Sequence, residues 1–290
     1  MAVPIFLVIT GYVSAMSFER KNTNYNLAYK PVEIISKLLR LIIPFLVVFT
    51  LQTIYHFLKH EELSVSIILM RFITGGEGPG SYYFIIMIQV VLIAPIIWWT
   101  VKKYCVSGII ICFVINLLYE LVHATYGIPP KVYSLLVFRY LFILSYGFFL
   151  CYIEVAGRKK RLWVYICIGV IGFLVLAAIN YFGVSKLDYN EWKNTSVFGV
   201  LWIVPIMLFL VGCNGLQYKP LELLGLSSYN IYLFQLLYYW TGIPSKLYSV
   251  VSITALRVLL NIIICVTGGV MFYKIESPVT KKIIMTLKGQ

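Results

Sequence analysis

Apolar residues run along this chain in blocks rather than in stripes. Leu162 to Phe182, LWVYICIGVIGFLVLAAINYF, contains no charged side chain. A helix on a soluble core shows a polar face every three to four residues, and this stretch shows none. About 20 helical residues cross the ~30 Å hydrocarbon core of a bilayer, where every backbone group must find a partner inside the segment. The blocks are therefore predicted as membrane-spanning helices. Cutting at charge clusters, Pro and Gly gives roughly nine. They are Ala2 to Met16, Leu41 to Leu58, Tyr82 to Val101, Val106 to Val122, Tyr133 to Ile153, Leu162 to Phe182, Val197 to Cys213, Tyr229 to Gly242 with its flanks, and Val251 to Tyr273.

Composition narrows the class. With 61% hydrophobic and 12% charged residues, a disordered chain is excluded and the composition argues against a soluble domain. The fold class predicted is all-α, a polytopic transmembrane helix bundle forming one domain over residues 1–290. A net charge of +13 would suit nucleic acid, but the basic residues sit in short loops between spans. That placement fits a membrane surface with anionic lipid and an anionic cofactor, and no nucleic acid.

The loops take sides. One set of alternate connections holds Arg20, Lys21, Lys30, Lys37, Arg40, Lys102, Lys103, the cluster Arg158, Lys159, Lys160 and Arg161, Lys219, and Lys274, Lys281, Lys282 and Lys288. The other set holds only Lys59, Arg71, Lys131, Lys186, Lys193 and Lys246. This positive-inside bias puts the C-terminus in the cytoplasm and residue 1 outside. A chain that starts outside in mid-span predicts one further helix ahead of Met1. No basic n-region precedes the first apolar stretch, so no secretory signal is expected.

Metal and redox chemistry find no foothold. Cys105, Cys112, Cys151, Cys167, Cys213 and Cys265 lie in or beside apolar runs with no CxxC spacing and no His pair near them, and read as small buried side chains. There is no P-loop, no GxGxxG, no zinc spacing and no Ser-His-Asp arrangement.

Six local motifs in order carry a resemblance. Val3-Pro4-Ile5-Phe6-Leu7-Val8-Ile9-Thr10-Gly11-Tyr12 is similar to "VPxFFxxSGY", and Lys37-Leu38-Leu39-Arg40-Leu41-Ile42-Ile43-Pro44 to "RRxxRLxxP". Gly80-Ser81-Tyr82-Tyr83-Phe84, leading to Gln89 and Pro95, resembles "G-x-WFL…LQ-x-Y…P". Arg139-Tyr140-Leu141-Phe142, running to Gly147, resembles "RYxxYFxxG". Leu224 to Leu233 is similar to "LGxxSYxIYLxH", and Tyr273-Lys274-Ile275-Glu276-Ser277-Pro278 to "Y-x-x-E-x-P".

Together these resemble the membrane-bound acyltransferase-3 family. The resemblance implies a ten-helix bundle in the plasma (inner) membrane. Its implied activity moves an acyl group, usually acetyl, from a cytoplasmic CoA thioester to a hydroxyl of a sugar or polysaccharide acceptor, or of its lipid-linked precursor. Acetyl-CoA is the implied donor and no cofactor is bound; membrane lipids are the other partners. The family's candidate general base is the His of an Arg-x10-His motif on its first helix, and that helix falls ahead of Met1. The His common in "YLxH" is Gln235 here. The chain is thus expected to be an N-terminally shortened member.

Acyl transfer needs a base, donors for the oxyanion, and a grip on the anionic carrier. Lys37 and Arg40 share a helical face at i, i+3, and could hold phosphates or simply anchor the helix at the interface. Arg139 sits in an apolar helix, where a cation is expected to face protein or water, or to snorkel. Glu120 and Arg257 lie deep enough to pair with it or with another span. Tyr229 and Tyr232 offer hydroxyls to a sugar or oxyanion, or pack as an aromatic belt. His56, His60 and His123 end helices on the outer side, as interfacial residues or as acceptor contacts. Gly11 and Thr10 are expected to allow close helix approach. Glu276 with Pro278 is read as architecture just past the last helix, pairing with a Lys or Arg such as Arg40. The Gly75–Gly80 loop reads as a flexible outer loop that shapes an acceptor vestibule. A transporter lined by buried Arg, or a non-catalytic acyltransferase relative, are the rival readings; no internal repeat supports the transporter.

Overall fold

The computed structural model describes residues 2–21, 25–59, 64–157, 162–182, 196–212 and 218–289. His60, Glu61, Glu62, Arg158, Lys159, Lys160, Arg161, Lys186, Lys193 and Cys213 lie outside the described residues, as do the side chains of Lys131 and Lys246. Every described element is helical: α1 Ala2–Arg20, α2 Tyr25–Ala28, α3 Pro31–Leu58, α4 Val65–Ile73, α5 Tyr82–Tyr104, α6 Val106–Tyr126, α7 Pro130–Leu135, a 3₁₀ turn Val137–Tyr140, α8 Leu141–Val155, α9 Leu162–Phe182, α10 Ile203–Gly212, α11 Lys219–Trp240, α12 Ile243–Val250 and α13 Thr254–Leu287.

Among the described residues, five helical stretches are long and apolar enough to cross a membrane: Pro31–Leu58, Tyr82–Tyr104, Val106–Tyr126, Val137–Val155 and Thr254–Leu287. The all-α class and the multi-pass membrane character both hold. Several boundaries differ from the sequence expectation: α1 runs on to Arg20, α10 starts at Ile203 rather than Val197, and α11 starts at Lys219, well before Tyr229. Helix α3 starts ten residues before Leu41, at Pro31, a position that tolerates the missing N–H of proline. The span expected from Tyr133 to Ile153 is broken, because Leu136 is extended (φ −92°, ψ 133°) between α7 and the 3₁₀ turn. The last helix does not stop before Glu276; it runs through Glu276 and Pro278 to Leu287.

Helices divide into two compact units, residues 1–30 with 92–216, and residues 31–91 with 217–290. In the first unit α8 is the core, with all of Leu141 to Cys151 buried. Its apolar character on every side is what a fully enclosed helix requires. Helix α1 lies against it by way of two glycines. A Cβ on Gly11 would strike the Leu144 carbonyl, and one on Gly147 would strike the Val8 carbonyl and stand 2.9 Å from Tyr12 N. Close backbone approach of this kind is how helices associate where no hydrophobic drive separates lipid from protein. Tyr12 donates to Glu154 at the edge of this contact. Between α5 and α6 the chain reverses through Cys105, at φ 49°, and Gly108 seats against the Thr100 carbonyl. Four described cysteines, Cys105, Cys112, Cys151 and Cys265, are buried or half-buried, while Cys167 is exposed on α9.

In the second unit α11 and α13 run antiparallel, since Asn230 meets Glu276, Ile231 meets Gly269 and Tyr238 meets Asn261. Phe45 of α3 stacks on Phe84 of α5 with centroids 3.6 Å apart, beside Leu233 and Leu236. A polar ladder stitches α11 to α13. Tyr238 Oη donates to Asn261 Oδ1 at 2.7 Å, and Asn261 Nδ2 donates to Tyr248 Oη at 3.3 Å. Tyr238→Phe is expected to lower stability by about 0.6–1 kcal/mol, read as a drop in the thermal midpoint in detergent. An unchanged midpoint would show that the bond is replaced in the variant.

Candidate functional site

The densest polar centre of the second unit forms around Glu77, in the loop between α4 and α5. Gly75, Gly76, Gly78 and Gly80 all have positive φ, between 86° and 117°, a region that L side chains rarely enter. Glycines at these positions let the loop fold back on the helices. Gln52 of α3 locks it: Gln52 Nε2 donates to the Glu77 carbonyl at 2.8 Å, and Glu77 N donates to Gln52 Oε1 at 3.2 Å. Tyr232 Oη donates to the Gly80 carbonyl at 2.8 Å. The loop expected to be flexible is therefore pinned from two helices.

The Glu77 carboxylate gathers three donors. Arg71 Nε reaches Oε1 at 2.7 Å, and His56 Nε2 and Trp240 Nε1 reach Oε2 at 2.7 and 2.8 Å. Charge-assisted bonds of this length are the strong ones. The Trp240 ring packs 5.0 Å from both His56 and Tyr55. His56 is buried and Glu77 and Arg71 are half-buried. A carboxylate bonded to one ring nitrogen fixes an imidazole's orientation and tautomer, so the centre presents an oriented imidazole, a guanidinium and an indole at one end of α3, α4 and α11.

The remaining predicted residues are distributed as follows. Lys37 and Arg40 lie near the N-terminal end of α3, at the opposite end of that helix from His56; Arg40 is exposed and makes no ion pair among the described residues. Tyr229 and Tyr232 stack at 6.1 Å, but both hydroxyl protons are committed, to the Leu41 carbonyl at 3.0 Å and the Gly80 carbonyl. They brace the loop and α3 rather than offering free donors. Glu276 is buried inside α13 and accepts from Asn230 Nδ2 at 3.2 Å and from Thr280. The pairing with Arg40 expected for it is absent. An amide from the neighbouring α11 and a hydroxyl one turn on in α13 itself satisfy this carboxylate, with no cation on it among the described residues.

Arg139 falls in the first unit, in the 3₁₀ turn ahead of α8 rather than inside a continuous span. Its guanidinium lies 4.5 Å from the Tyr133 ring and 5.5 Å from the Tyr140 ring, and its charge acts on Glu120. Glu120 accepts from Val197 N at 2.7 Å and Asn116 Nδ2 at 3.3 Å. His123 stacks on Tyr133 at 3.9 Å. Cation–π stacking beside a carboxylate is a stable way to hold a guanidinium away from water. Arg257 is engaged locally, donating to the Val251 carbonyl with its guanidinium 5.4 Å from Tyr248.

Sequence reasoning passed over Gln52, Glu77, Arg71 and Trp240 as site residues. One signal was present. Phe45, Val48, Gln52 and His56 follow the buried stripe of α3, and polar residues on an apolar stripe require built partners. Comparison with known proteins adds the family. The acyltransferase domain family, the same acyltransferase-3 family suggested by the motifs, matches residues 1–274. No curated protein and no solved structure matches the chain. A match over nearly the whole length, on an all-helical membrane bundle, shows that the chain belongs to the membrane acyltransferase-3 family.

Proposed function

We propose that this protein transfers an acetyl group from a CoA thioester to a hydroxyl of a cell-surface polysaccharide or its lipid-linked precursor, in the plasma (inner) membrane with its C-terminus cytoplasmic. The family match over residues 1–274 carries the reading. The two ends of the second unit support it. One end holds Lys37 and Arg40 at the start of α3 and Lys281, Lys282 and Lys288 at the end of α13, a basic mouth suited to a polyanionic donor. The other end holds the Glu77 centre. In this reading His56 and Arg71, both held on Glu77, bind the hydroxyls of an acceptor, and the Gly-rich loop shapes the approach. Arg139 is a second cation held in the protein, assigned to donor or substrate contact.

The test is transfer from radiolabelled acetyl-CoA in liposomes supplied with a lipid-linked glycan. The chain is assayed as given and with an Arg-x10-His helix joined ahead of Met1. Arg40→Ala and Arg139→Ala are each expected to lower transfer by about tenfold or more, the loss of one or more charge-assisted contacts. Solute counterflow without acetyl consumption would move the protein to the transporter class. Absence of transfer from every form would make it a non-catalytic relative.

A further inference from the structure

A cavity of about 170 Å³ opens in the first unit where the end of α1, the short α2 and the end of α5 meet. Phe18, Ala28, Pro95 and Trp98 form a buried floor. Tyr25, Trp99 and Lys102 form an exposed rim. Tyr29 braces the rim, with its ring 5.2 Å from Tyr25 and its hydroxyl donating to the Leu92 carbonyl at 3.0 Å. Tyr25 and Trp99 stand 6.3 Å apart and tilted by 58°. Ligand pockets for drug-sized molecules run to ~300–1,000 Å³, so this cavity takes one ring system and not a whole carrier or a diacyl lipid.

Charge decides the class of ring. Lys102 Nζ lies 5.4 Å from the Trp98 ring, and Lys103 Nζ lies 4.8 Å from the Trp99 ring. Each of these rings has one of the protein's own cations over one face, which disfavours an ammonium ligand. Lys102 is neutralised by Glu19 at 2.5 Å. Lys103, the next residue of α5, makes no ion pair among the described residues and lies over Trp99 and, at 5.2 Å, over Tyr104, so its charge has no acidic partner behind the rim. An aromatic slot whose outer ring holds a cation with no acidic partner suits a heteroaromatic base that carries phosphate. Arg20 and Lys21 close α1 at this same end, so the pocket opens on a basic face.

We infer that the Trp98–Trp99 pocket binds the nucleotide end of the acyl donor, stacking the purine against Trp99 and Tyr25 with its phosphate on Lys103. The inference rests on the acetyl-CoA reading above and adds residues that the family motifs do not contain.

The experiment uses the full chain in nanodiscs of phosphatidylcholine, titrated by calorimetry with adenosine 3′,5′-bisphosphate, with CoA and with pantetheine. The bisphosphate and CoA are expected to bind and pantetheine, which lacks the nucleotide, is not. Trp99→Ala should weaken both nucleotide ligands by about tenfold, the scale of losing one base stack. Lys103→Ala should weaken them several-fold, and Trp163→Ala, exposed on α9, should change nothing. Trp99 and Lys103 are both exposed, and an unshifted thermal midpoint will show that each variant folds. CoA binding untouched by Trp99→Ala and Lys103→Ala overturns the pocket assignment and leaves the acetyl-CoA reading standing. No binding of either nucleotide ligand overturns the pocket, and acetyl transfer in the same preparation then decides whether the donor reading falls too. Binding of phosphatidylglycerol added to the discs, lost in Trp99→Ala while the bisphosphate stays silent, would also overturn it, making the pocket a lipid site.

Discussion

A Gly147→Val protein is expected not to accumulate in folded form. Its new Cβ would stand on the Val8 carbonyl and 2.9 Å from Tyr12 N, both backbone atoms of α1 that no rotamer change can move. The branches beyond Cβ worsen the clash, so α1 and α8 must part. Parting exposes the polar backbone seam and empties the packed face of a helix whose residues Leu141 to Cys151 are all buried. Overpacking alone costs about 1–3 kcal/mol, and separating the helix pair adds to it. The sum is a large share of the ~5–15 kcal/mol that holds a protein folded. Gly11→Val should act in the same direction through the Leu144 carbonyl, and the two should not add, because they break one interface. Gly225→Ala supplies the contrast. No atom lies within 4 Å of a Cβ there, inside α11, so the change should be neutral or stabilise by up to ~1 kcal/mol. Fluorescence-detected gel filtration of membrane extracts separates these outcomes. A Gly147→Val protein that elutes and melts like the parent would mean that α1 and α8 do not touch.

These helix contacts lie partly within reach of sequence reading. Helix α9 fills the whole charge-free run Leu162–Phe182, as its lack of any polar stripe predicts. Gly11 is suspect as a contact residue from its place in an apolar run, but its partner Gly147 lies 136 positions away and no local pattern links them. Leu136 shows the opposite failure. Nothing in VYSLLVFRYLF marks the extended residue, so a break inside an apolar run passes for continuous helix. Pro278 misleads in the other direction: its ring suggests a stop, yet α13 continues for nine residues beyond it. The Glu77 centre was the least legible feature. Its members come from α3, α4, a loop and α11, and Trp240 is 163 residues from Glu77. Gly-rich composition signals a loop, but only the folded chain shows that four glycines turn its one carboxylate inward.

Glu77→Gln tests that centre, and is expected to lower both stability and transfer. Glutamine keeps the shape and one carbonyl acceptor, so Trp240 retains a partner. Arg71 loses its counter-charge, at 2.7 Å in the parent. A hydrogen bond to a charged group contributes about 1.5–3 kcal/mol, and half-exposure of both partners lets water return and reduces that figure. A loss of about 1–2 kcal/mol in unfolding free energy follows. Coupling between Glu77→Gln and Arg71→Ala in a double-mutant cycle should reach about 0.5–1 kcal/mol. The functional arm is assayed below the melting range of each variant, so that folded protein is compared with folded protein. His56 without its carboxylate is no longer held in one orientation, and the KM for the acceptor should rise about tenfold, the loss of ~1.4 kcal/mol of binding, while CoA affinity stays unchanged. His56→Gln should reproduce the KM effect with a smaller stability loss, because Arg71 then keeps Glu77. A lowered midpoint with unchanged acceptor KM would mean that Glu77 only latches the Gly-rich loop to α3 and α11. The acceptor contacts would then have to be sought away from this end of the second unit.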